Sequence, residues 1–207
     1  MNWQQHKTLA TALRDQGLAD CLAARANLRA DGAVLQVCGR RITQAHVVVA
    51  KCQQSIEKIV KGYLLWHSGA FDPTKGHTPF TRALGNEKHP EIERLCYSLN
   101  RINARVVNDI KWLEDLAPRR PTLADDEKGS PVPLNRLSEN SEYAFWSPAT
   151  GVVIAAEGLT MRYHAIRAVK ALRAFLTAMA RSTPEAFTKD IGFFLEEHPF
   201  STALGGS

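Results

Sequence analysis

The sequence contains few cysteines, and their spacing does not suit metal or disulfide chemistry. Four of its 207 residues are cysteine, and no two of them have the CxxC spacing of a zinc or redox site. One of them, Cys52, falls within an apolar stripe. We therefore predict reduced thiols, in the core or at the surface, for Cys21, Cys38, Cys52 and Cys96.

Long apolar runs and the loop motifs of common enzymes are absent too. No window approaches the run of about 18 apolar residues that a membrane span needs. The first residues, MNWQQHK, are polar and have no apolar stretch behind them, which predicts a cytoplasmic protein without a membrane partner. The chain has no GxSxG, no HExxH and no glycine-rich phosphate loop. The acidic run Asp125–Glu127 lacks ligand spacing, so we predict a solvated turn there and neither metal nor cofactor.

The composition is that of one globular domain with a positive charge excess. Hydrophobic residues make up 44% and charged residues 23%, and the formal net charge is +5. Residues 1–61 carry nine Lys/Arg against four Asp/Glu, whereas residues 62–207 carry seventeen of each. This distribution predicts a basic face near the N-terminal helices that favours an anionic partner. The alternative is that the excess serves solubility alone.

Helical periodicity runs through most of the chain. It is clearest at 42–67, where the apolar residues that share one face are Ala45, Val48, Val49, Cys52, Ile56, Ile59, Val60 and Tyr63. The other predicted helices are 3–29 (one helix, or two broken near Gly17), 79–84, 90–116, 160–180 with Thr160 as N-cap, and 183–197.

Two stretches interrupt the helical pattern. Residues 117–141 are rich in Pro, Ser and charge and predict a long mobile loop. Residues 142–156 hold two short apolar runs around a turn, which predicts an extended or hairpin-like strap. The whole is a single all-α domain over 1–207, an up-and-down bundle of four or five helices with its core formed by helices 42–67, 90–116 and 160–180.

One stretch of the second helix, CQQSIEKIVKGYLL, carries polar residues beside its apolar face. Glu57 stands four residues before Lys61, an order that stabilises a helix by roughly 0.2–0.5 kcal/mol. Helical geometry also places Gln53 on the same edge as Glu57, with Gln54 and Lys58 on the outward side. These features alone indicate helix stabilisation and solubility.

The same stretch resembles the signature helix of the HEPN family (higher eukaryotes and prokaryotes nucleotide-binding). In that family Gln-Gln, two residues, Glu-Lys, two residues, Lys and an apolar run recur, which here are Gln53, Gln54, Glu57, Lys58 and Lys61. Two more pieces follow in the family's order. KGHTPFTRAL, around His77, resembles its Thr-His-Asp-Leu segment. The segment NSEYA resembles its Asn-Thr-Glu-Tyr-Pro strap, with the residues Asn140, Ser141, Glu142, Tyr143 and Ala144, where alanine replaces proline.

The resemblance implies a helical bundle, often a homodimer, that binds nucleotide, RNA or a protein partner. The family's settings include prokaryotic defence and toxin–antitoxin systems. A nucleotidyltransferase commonly accompanies such domains, but this chain lacks the Gly-Ser strand and paired aspartates of one. Such a partner is expected on a separate chain.

Active members of the family are metal-independent ribonucleases, which offers an alternative function. They use an Arg, then four to six intervening residues, then a His. The His acts as acid or base, and the Arg stabilises the phosphate charge. Here Arg82 with His89 and Arg162 with His164 are the candidate catalytic residues. Arg162 and His164 are only two residues apart, about 160° around a helix, so they would meet only across a dimer.

The last main helix has a second feature, a row of cations with one aromatic residue. These residues lie opposite its apolar stripe, where they can grip phosphate and stack a base. The predicted nucleotide- or RNA-binding residues are therefore Lys58, Tyr163, Arg167, Lys170 and Arg173. The alternatives are a solvated helix face and a purely structural bundle, and whether the chain is an enzyme stays open.

Overall fold

The computed structural model describes nine stretches of the chain, residues 2–30, 35–37, 40–42, 44–68, 90–115, 145–147, 152–154, 162–182 and 186–200. They contain six α-helices and two antiparallel hairpins. The helices are α1 (Trp3–Ala30), α2 (Ala45–Ser68), α3 (Pro90–Ile102), α4 (Val106–Asp115), α5 (Arg162–Ser182) and α6 (Ala186–Glu197). The strands are β1 (Leu35–Val37), β2 (Arg40–Ile42), β3 (Phe145–Ser147) and β4 (Val152–Ile154).

The prediction of an all-α helical bundle is confirmed. The two hairpins are short, and β3 pairs with β4 inside the segment predicted as a strap, with Phe145 opposite Ile154. The hairpin-like form of that prediction is therefore correct for these residues. None of the helices within the described stretches is long and apolar enough to cross a membrane. The predicted helix at 79–84, the loop at 117–141 and the Thr160 N-cap lie outside the described residues.

Helix α1 is a single helix, and a reciprocal pair of hydrogen bonds starts it. The Gln5 backbone N–H donates to Asn2 Oδ1 at 2.9 Å, and the Asn2 N–H donates to Gln5 Oε1 at 2.8 Å. This is a capping box, which satisfies backbone donors that have no partner inside the helix. The helix then continues through Gly17 to Ala30.

Gly17 does not break α1, because its missing side chain lets α1 approach α2 closely. A Cβ at Gly17 would lie 2.7 Å from Ile59 Cγ1 and 2.9 Å from the Ser55 carbonyl oxygen. The Ser55 hydroxyl donates to the Gly17 carbonyl at 2.7 Å across the same contact. The same close approach recurs at one end of the α1–α2 interface, where a Cβ at Gly62 would lie 2.7 Å from the Ala10 carbonyl oxygen. The two helices therefore run antiparallel with their backbones in near contact.

The core includes α1, which the predicted core left out. Five of its residues are buried with the stripe of α2, namely Ala10, Leu18, Cys21, Ala24 and Leu28. All eight apolar residues predicted on the α2 face are buried. Helix α5 packs against α2 and also meets α3, α4 and α6. The prediction of a core built from three helices was therefore wrong in omitting α1, whose apolar residues are weakly periodic alanines and single leucines.

The predicted helix at 90–116 is two helices. Pro90 and the first-turn Glu91 begin α3 as predicted, but the helix ends at Ile102. Asn103 Oδ1 accepts the Arg105 backbone N–H at 3.0 Å, and α4 starts at the next residue. This bond to the residue two positions on is an Asx turn, in which the side-chain oxygen of asparagine replaces a backbone acceptor. The apolar periodicity on both sides concealed this break.

Two arginines of α1 attach the C-terminal segment to the bundle. Arg14, whose side chain is 7% exposed, pairs with Asp190 at 2.5 Å and donates to the Phe187 carbonyl at 3.3 Å. Further along α1, Arg25 donates to the carbonyls of His198 and Pro199 at 2.9 and 2.8 Å. Because the contacts advance in the same direction on both elements, α6 runs parallel to α1.

Replacing either interface glycine by alanine should destabilise the fold. In Gly17→Ala and Gly62→Ala the new methyl meets a backbone oxygen that cannot rotate away, so we expect a loss of about 1–3 kcal/mol in the free energy of unfolding. The control is Gly192→Ala on α6, where the nearest atom to a Cβ is Ala180 Cβ at 3.9 Å. That change should stabilise the protein by about 0.5–1 kcal/mol, because alanine favours helix. Urea denaturation followed by circular dichroism measures all three, and an unchanged midpoint for the first two would contradict the close packing.

The described cysteines should be unreactive in the native state. Burial raises the pKa of Cys21 to about 12, that of Cys96 to about 11, and that of Cys52 well above its ordinary value. Since the thiolate is the reactive form, fewer than about one in a hundred of these thiols is ionised at pH 8. In a Cys38→Ser variant, Ellman's reagent should react slowly with native protein and rapidly with three thiols in denaturant. A fast native reaction would place one of the three at the surface.

Candidate functional site

Helix α5 has two faces of opposite character. One face is buried in the bundle and consists of Ala165, Ala168, Val169, Ala171, Leu172, Phe175, Leu176, Ala178 and Met179. Six residues of the helix are exposed, five of them cations and one a tyrosine. We call these six the α5 cationic face, and they are Arg162, Tyr163, Arg167, Lys170, Arg173 and Arg181. The predicted separation of an apolar stripe from a basic row is therefore present in the structure.

The charge on this face is not compensated locally. Helix α5 contains five Lys/Arg and no Asp or Glu over its 21 residues. No carboxylate belonging to the described part of the chain forms an ion pair with any of the five. A solvated helix surface usually carries both signs, which stabilises the helix through pairs four residues apart. Helix α5 lacks that pattern.

The N-terminal helices, where the formal charge excess lies, are different. Lys51 and Lys58 both contact Asp20, Lys61 pairs with Glu57, and buried Arg14 has its own acidic partners. Among the described residues, the α5 row of cations without an acidic partner therefore lies in the part of the chain whose formal charges balance. The charge count for residues 1–61 does not locate it.

Aromatic rings accompany the cations at the start of α5. The Arg167 guanidinium lies over the Trp112 ring of α4, 3.8 Å from its centroid. Tyr163 is 60% exposed, and its ring centroid lies 3.8 Å from that of His164. Arginine stacked on a tryptophan keeps its outer face and its N–H groups available. The first turns of α5 thus combine hydrogen-bond donors with an open aromatic surface.

The candidate catalytic pair on α5 is not brought together within one chain. Arg162 is exposed, whereas His164 is half-buried and turned toward the bundle, about 160° around the helix. Partial burial, and secondly the positive charge of Arg167, lower the pKa of His164 below its usual value. The lowered pKa favours the neutral form of the imidazole. The other candidate pair, Arg82 and His89, lies outside the described residues.

A groove lies beside the α5 cationic face, at the C-terminal end of α5. It has a volume of about 560 Å³ and lies between α5 and the break that separates α3 from α4. Its walls are formed by Ile102, Asn103, Lys170, Arg173, Ala174, Thr177, Ala178 and Arg181. Three cations and two neutral hydrogen-bonding side chains therefore meet in one concavity, and none of the described residues that line it is acidic.

Sequence reasoning found only part of this groove. Lys170 and Arg173 were predicted, but Thr177 and Arg181 were not, although both continue the same row at four-residue steps. Continuing the periodicity to the end of the helix would have found them. Asn103 had no usable signal, because it was predicted to lie inside a continuous helix.

Lys58, predicted to bind the ligand, has a partner inside the bundle. Its Nζ lies 2.5 Å from Asp20 Oδ2, and Lys51 Nζ lies 3.0 Å from Asp20 Oδ1. The Lys51 Nζ also donates to Gln54 Oε1 at 2.8 Å. The Asp20 side chain is only 10% exposed, so the two lysines neutralise a carboxylate held at the α1–α2 contact. Lys58 does not line the α5 groove.

The other polar residues of the α2 signature also form contacts. The Gln53 Nε2 lies 3.4 Å from the Leu113 carbonyl, a long hydrogen bond that joins α2 to α4. Glu57 pairs with Lys61, as their spacing predicted. The remaining signature residues, His77, Glu142 and Tyr143, lie outside the described residues, as do Asn140, Ser141 and Ala144.

The described residues contain no group of metal ligands, and comparison with known proteins finds no relative. Within the stretches that the structure describes, no three His, Cys, Asp or Glu side chains are grouped to hold a metal ion. No protein-family model, no curated protein and no solved structure matches this chain. Any function must therefore be argued from the residues themselves.

Removing the charge of Asp20 should cost stability. Asp20→Asn leaves Lys51 and Lys58 facing a neutral amide in a place where water is largely excluded. We expect a loss of about 1.5–3 kcal/mol in the free energy of unfolding, the usual range for hydrogen bonds to a charged group. Chemical denaturation at pH 7 measures it.

The matched control is Glu91→Gln, which removes the Glu91–Arg94 pair of α3. Because the Arg94 side chain is 73% exposed, loss of this pair and of the Glu91 charge at the helix N-terminus should together cost no more than about 1 kcal/mol. Equal losses for the two variants would show that Asp20 behaves as a surface carboxylate.

Proposed function

We propose that this chain is an RNA-binding module of the HEPN type and that RNA lies along the α5 cationic face. One observation carries the proposal, namely that the exposed residues of α5 are five cations and a tyrosine without an acidic residue among them. Phosphate groups bind to such a row through charge and through release of their counterions. A face with no internal ion pairs loses no existing contact when the phosphates arrive.

The dimensions of the face favour a strand over a single nucleotide. Arg162 and Arg181 are 19 residues apart, which corresponds to about 28 Å at a rise of 1.5 Å per residue. The cations Arg162, Lys170, Arg173 and Arg181 fall within an arc of about 100° on the helix. A row this long and narrow follows several successive phosphates. Tyr163 at one end offers a ring on which a base can stack.

The HEPN assignment is supported by the roles of the α2 residues that carry the resemblance. Lys58 joins α2 to α1 through Asp20, and Gln53 contacts the Leu113 carbonyl of α4. Contacts that hold neighbouring helices together explain why polar residues occur at these steps on an otherwise apolar helix. A homodimer, a separate nucleotidyltransferase-type partner and a role in prokaryotic defence or toxin–antitoxin systems belong to the same proposal.

Metal-independent RNA cleavage is the alternative, and one observation favours it. The lowered pKa of His164 favours the neutral imidazole, which can accept a proton as a general base must. Against it, the Arg162 side chain leaves α5 on a different side, so one chain does not present both groups to one phosphate. Binding without cleavage is therefore the activity that we propose for a single chain.

The salt dependence of RNA binding tests the proposed face. Affinity for a short unstructured RNA is measured by fluorescence anisotropy over a series of KCl concentrations, with EDTA present. For the double variant Lys170→Gln/Arg173→Gln we expect weaker binding. The slope of log K against log [KCl] should be shallower by about 1.4, since each lost phosphate contact on single-stranded RNA removes about 0.7.

A matched variant separates this site from general charge. Arg29→Gln/Lys189→Gln removes two exposed cations from α1 and α6, the same change in net charge, and should leave the slope unaltered. Equal effects of the two double variants would contradict a site on α5. Wild-type protein that binds no RNA at low salt would leave only a structural bundle, and shortened RNA after incubation would support the cleavage alternative.

A further inference from the structure

The groove at the C-terminal end of the α5 cationic face differs from the rest of that face. Along most of the helix the cations project singly from a convex surface. At the groove Lys170, Arg173 and Arg181 meet around one concavity, closed on its far side by the α3–α4 break. A concave cluster concentrates positive potential more strongly than a convex row, because less water separates the charges.

The charge of the groove suits a phosphate with more than one negative charge. An internal phosphodiester of RNA carries a single charge, whereas a phosphate monoester carries about −1.5 to −2 at pH 7 and has three free oxygens. Three cations are more than one diester needs. The hydroxyl of Thr177 and the amide of Asn103 add neutral donors on opposite walls, so several oxygens can be bonded together.

The size and the apolar wall suit a terminal nucleotide. The volume of about 560 Å³ lies within the range of pockets that hold one small ligand. Ile102 is 42% exposed and forms part of the wall that also contains Asn103. An exposed aliphatic side chain at this position offers an apolar surface against which a ribose or base can pack.

We infer that this groove binds the terminal phosphate monoester of an RNA whose following nucleotides lie along α5. The inference rests on the proposed RNA-binding function and adds the selection of phosphorylated ends. The monoester can be at the 5′ or the 3′ end of the strand, since both have the same charge and the same free oxygens. The end that is bound then sets the direction in which the strand runs toward Tyr163.

Competition between RNA ends tests the inference. Three unlabelled RNAs of one sequence, with a 5′-phosphate, with a 3′-phosphate and with hydroxyls at both ends, displace an internally labelled RNA from the wild-type protein. We expect one phosphorylated form to compete about tenfold better than the unphosphorylated form, the effect of one charged hydrogen bond. Equal competition by all three would overturn the inference and leave the proposed function standing.

Variants locate the effect in the groove. Arg181→Gln and Thr177→Ala should abolish the preference for the phosphorylated end. Arg162→Gln, at the opposite end of the helix, should weaken binding of all three RNAs and keep the preference. A preference that survives Arg181→Gln would place the terminal phosphate elsewhere and overturn the inference.

A single nucleotide, which has no further strand to lie along α5, tests phosphate binding in the groove separately from the proposed RNA-binding function. AMP should raise the melting temperature of the wild-type protein, adenosine should not, and Arg173→Gln/Arg181→Gln should remove the effect of AMP. If AMP stabilises the protein but no RNA binds, the groove takes a phosphate monoester and the proposed RNA-binding function fails. If neither AMP nor RNA binds, both fail.

Discussion

The close contact between α1 and α2 is the constraint on which the rest of the bundle depends. Two glycines on opposite partners, Gly17 and Gly62, allow a backbone oxygen to sit where a side chain would otherwise stand. A contact this close fixes how one helix lies along the other, because neither can slide without losing the Ser55 hydrogen bond or burying the charge of Asp20 unpaired. Helix α2 is therefore held along one side and presents its remaining apolar surface to α5.

This arrangement determines what α5 can do. It packs against α2 and meets α3, α4 and α6, so Phe175, its leucines and most of its alanines are buried in packing. The opposite surface is exposed, and stability alone does not require five cations there. Their uniform positive charge contrasts with α2, whose charged residues are paired, and this contrast supports the proposed RNA-binding face.

The sequence was most informative where one physical signal dominated. The buried face of α2 and the two faces of α5 follow from helical periodicity. All eight residues predicted on the α2 face are buried, whereas the predicted cationic row of α5 omitted Arg181. The break at Asn103 was not predicted, because an Asx turn interrupts a helix without disturbing the apolar pattern around it. The ion pairs of Lys51 and Lys58 were not predicted either, for another reason. Their partner, Asp20, is distant in sequence, and no local pattern reports which charges meet.

The contacts of Arg14 with α6 have a consequence for how the chain folds. They join residues 173 positions apart, and the Arg14 guanidinium is almost fully buried beneath α6. Until α6 docks, this cation lacks Asp190 and the Phe187 carbonyl and keeps the neighbouring carboxylate of Asp15. Such long-range contacts form late because the intervening chain must first be ordered. During synthesis α1 and α2 can therefore pair early, whereas the bundle closes only after the segment around Asp190 has left the ribosome.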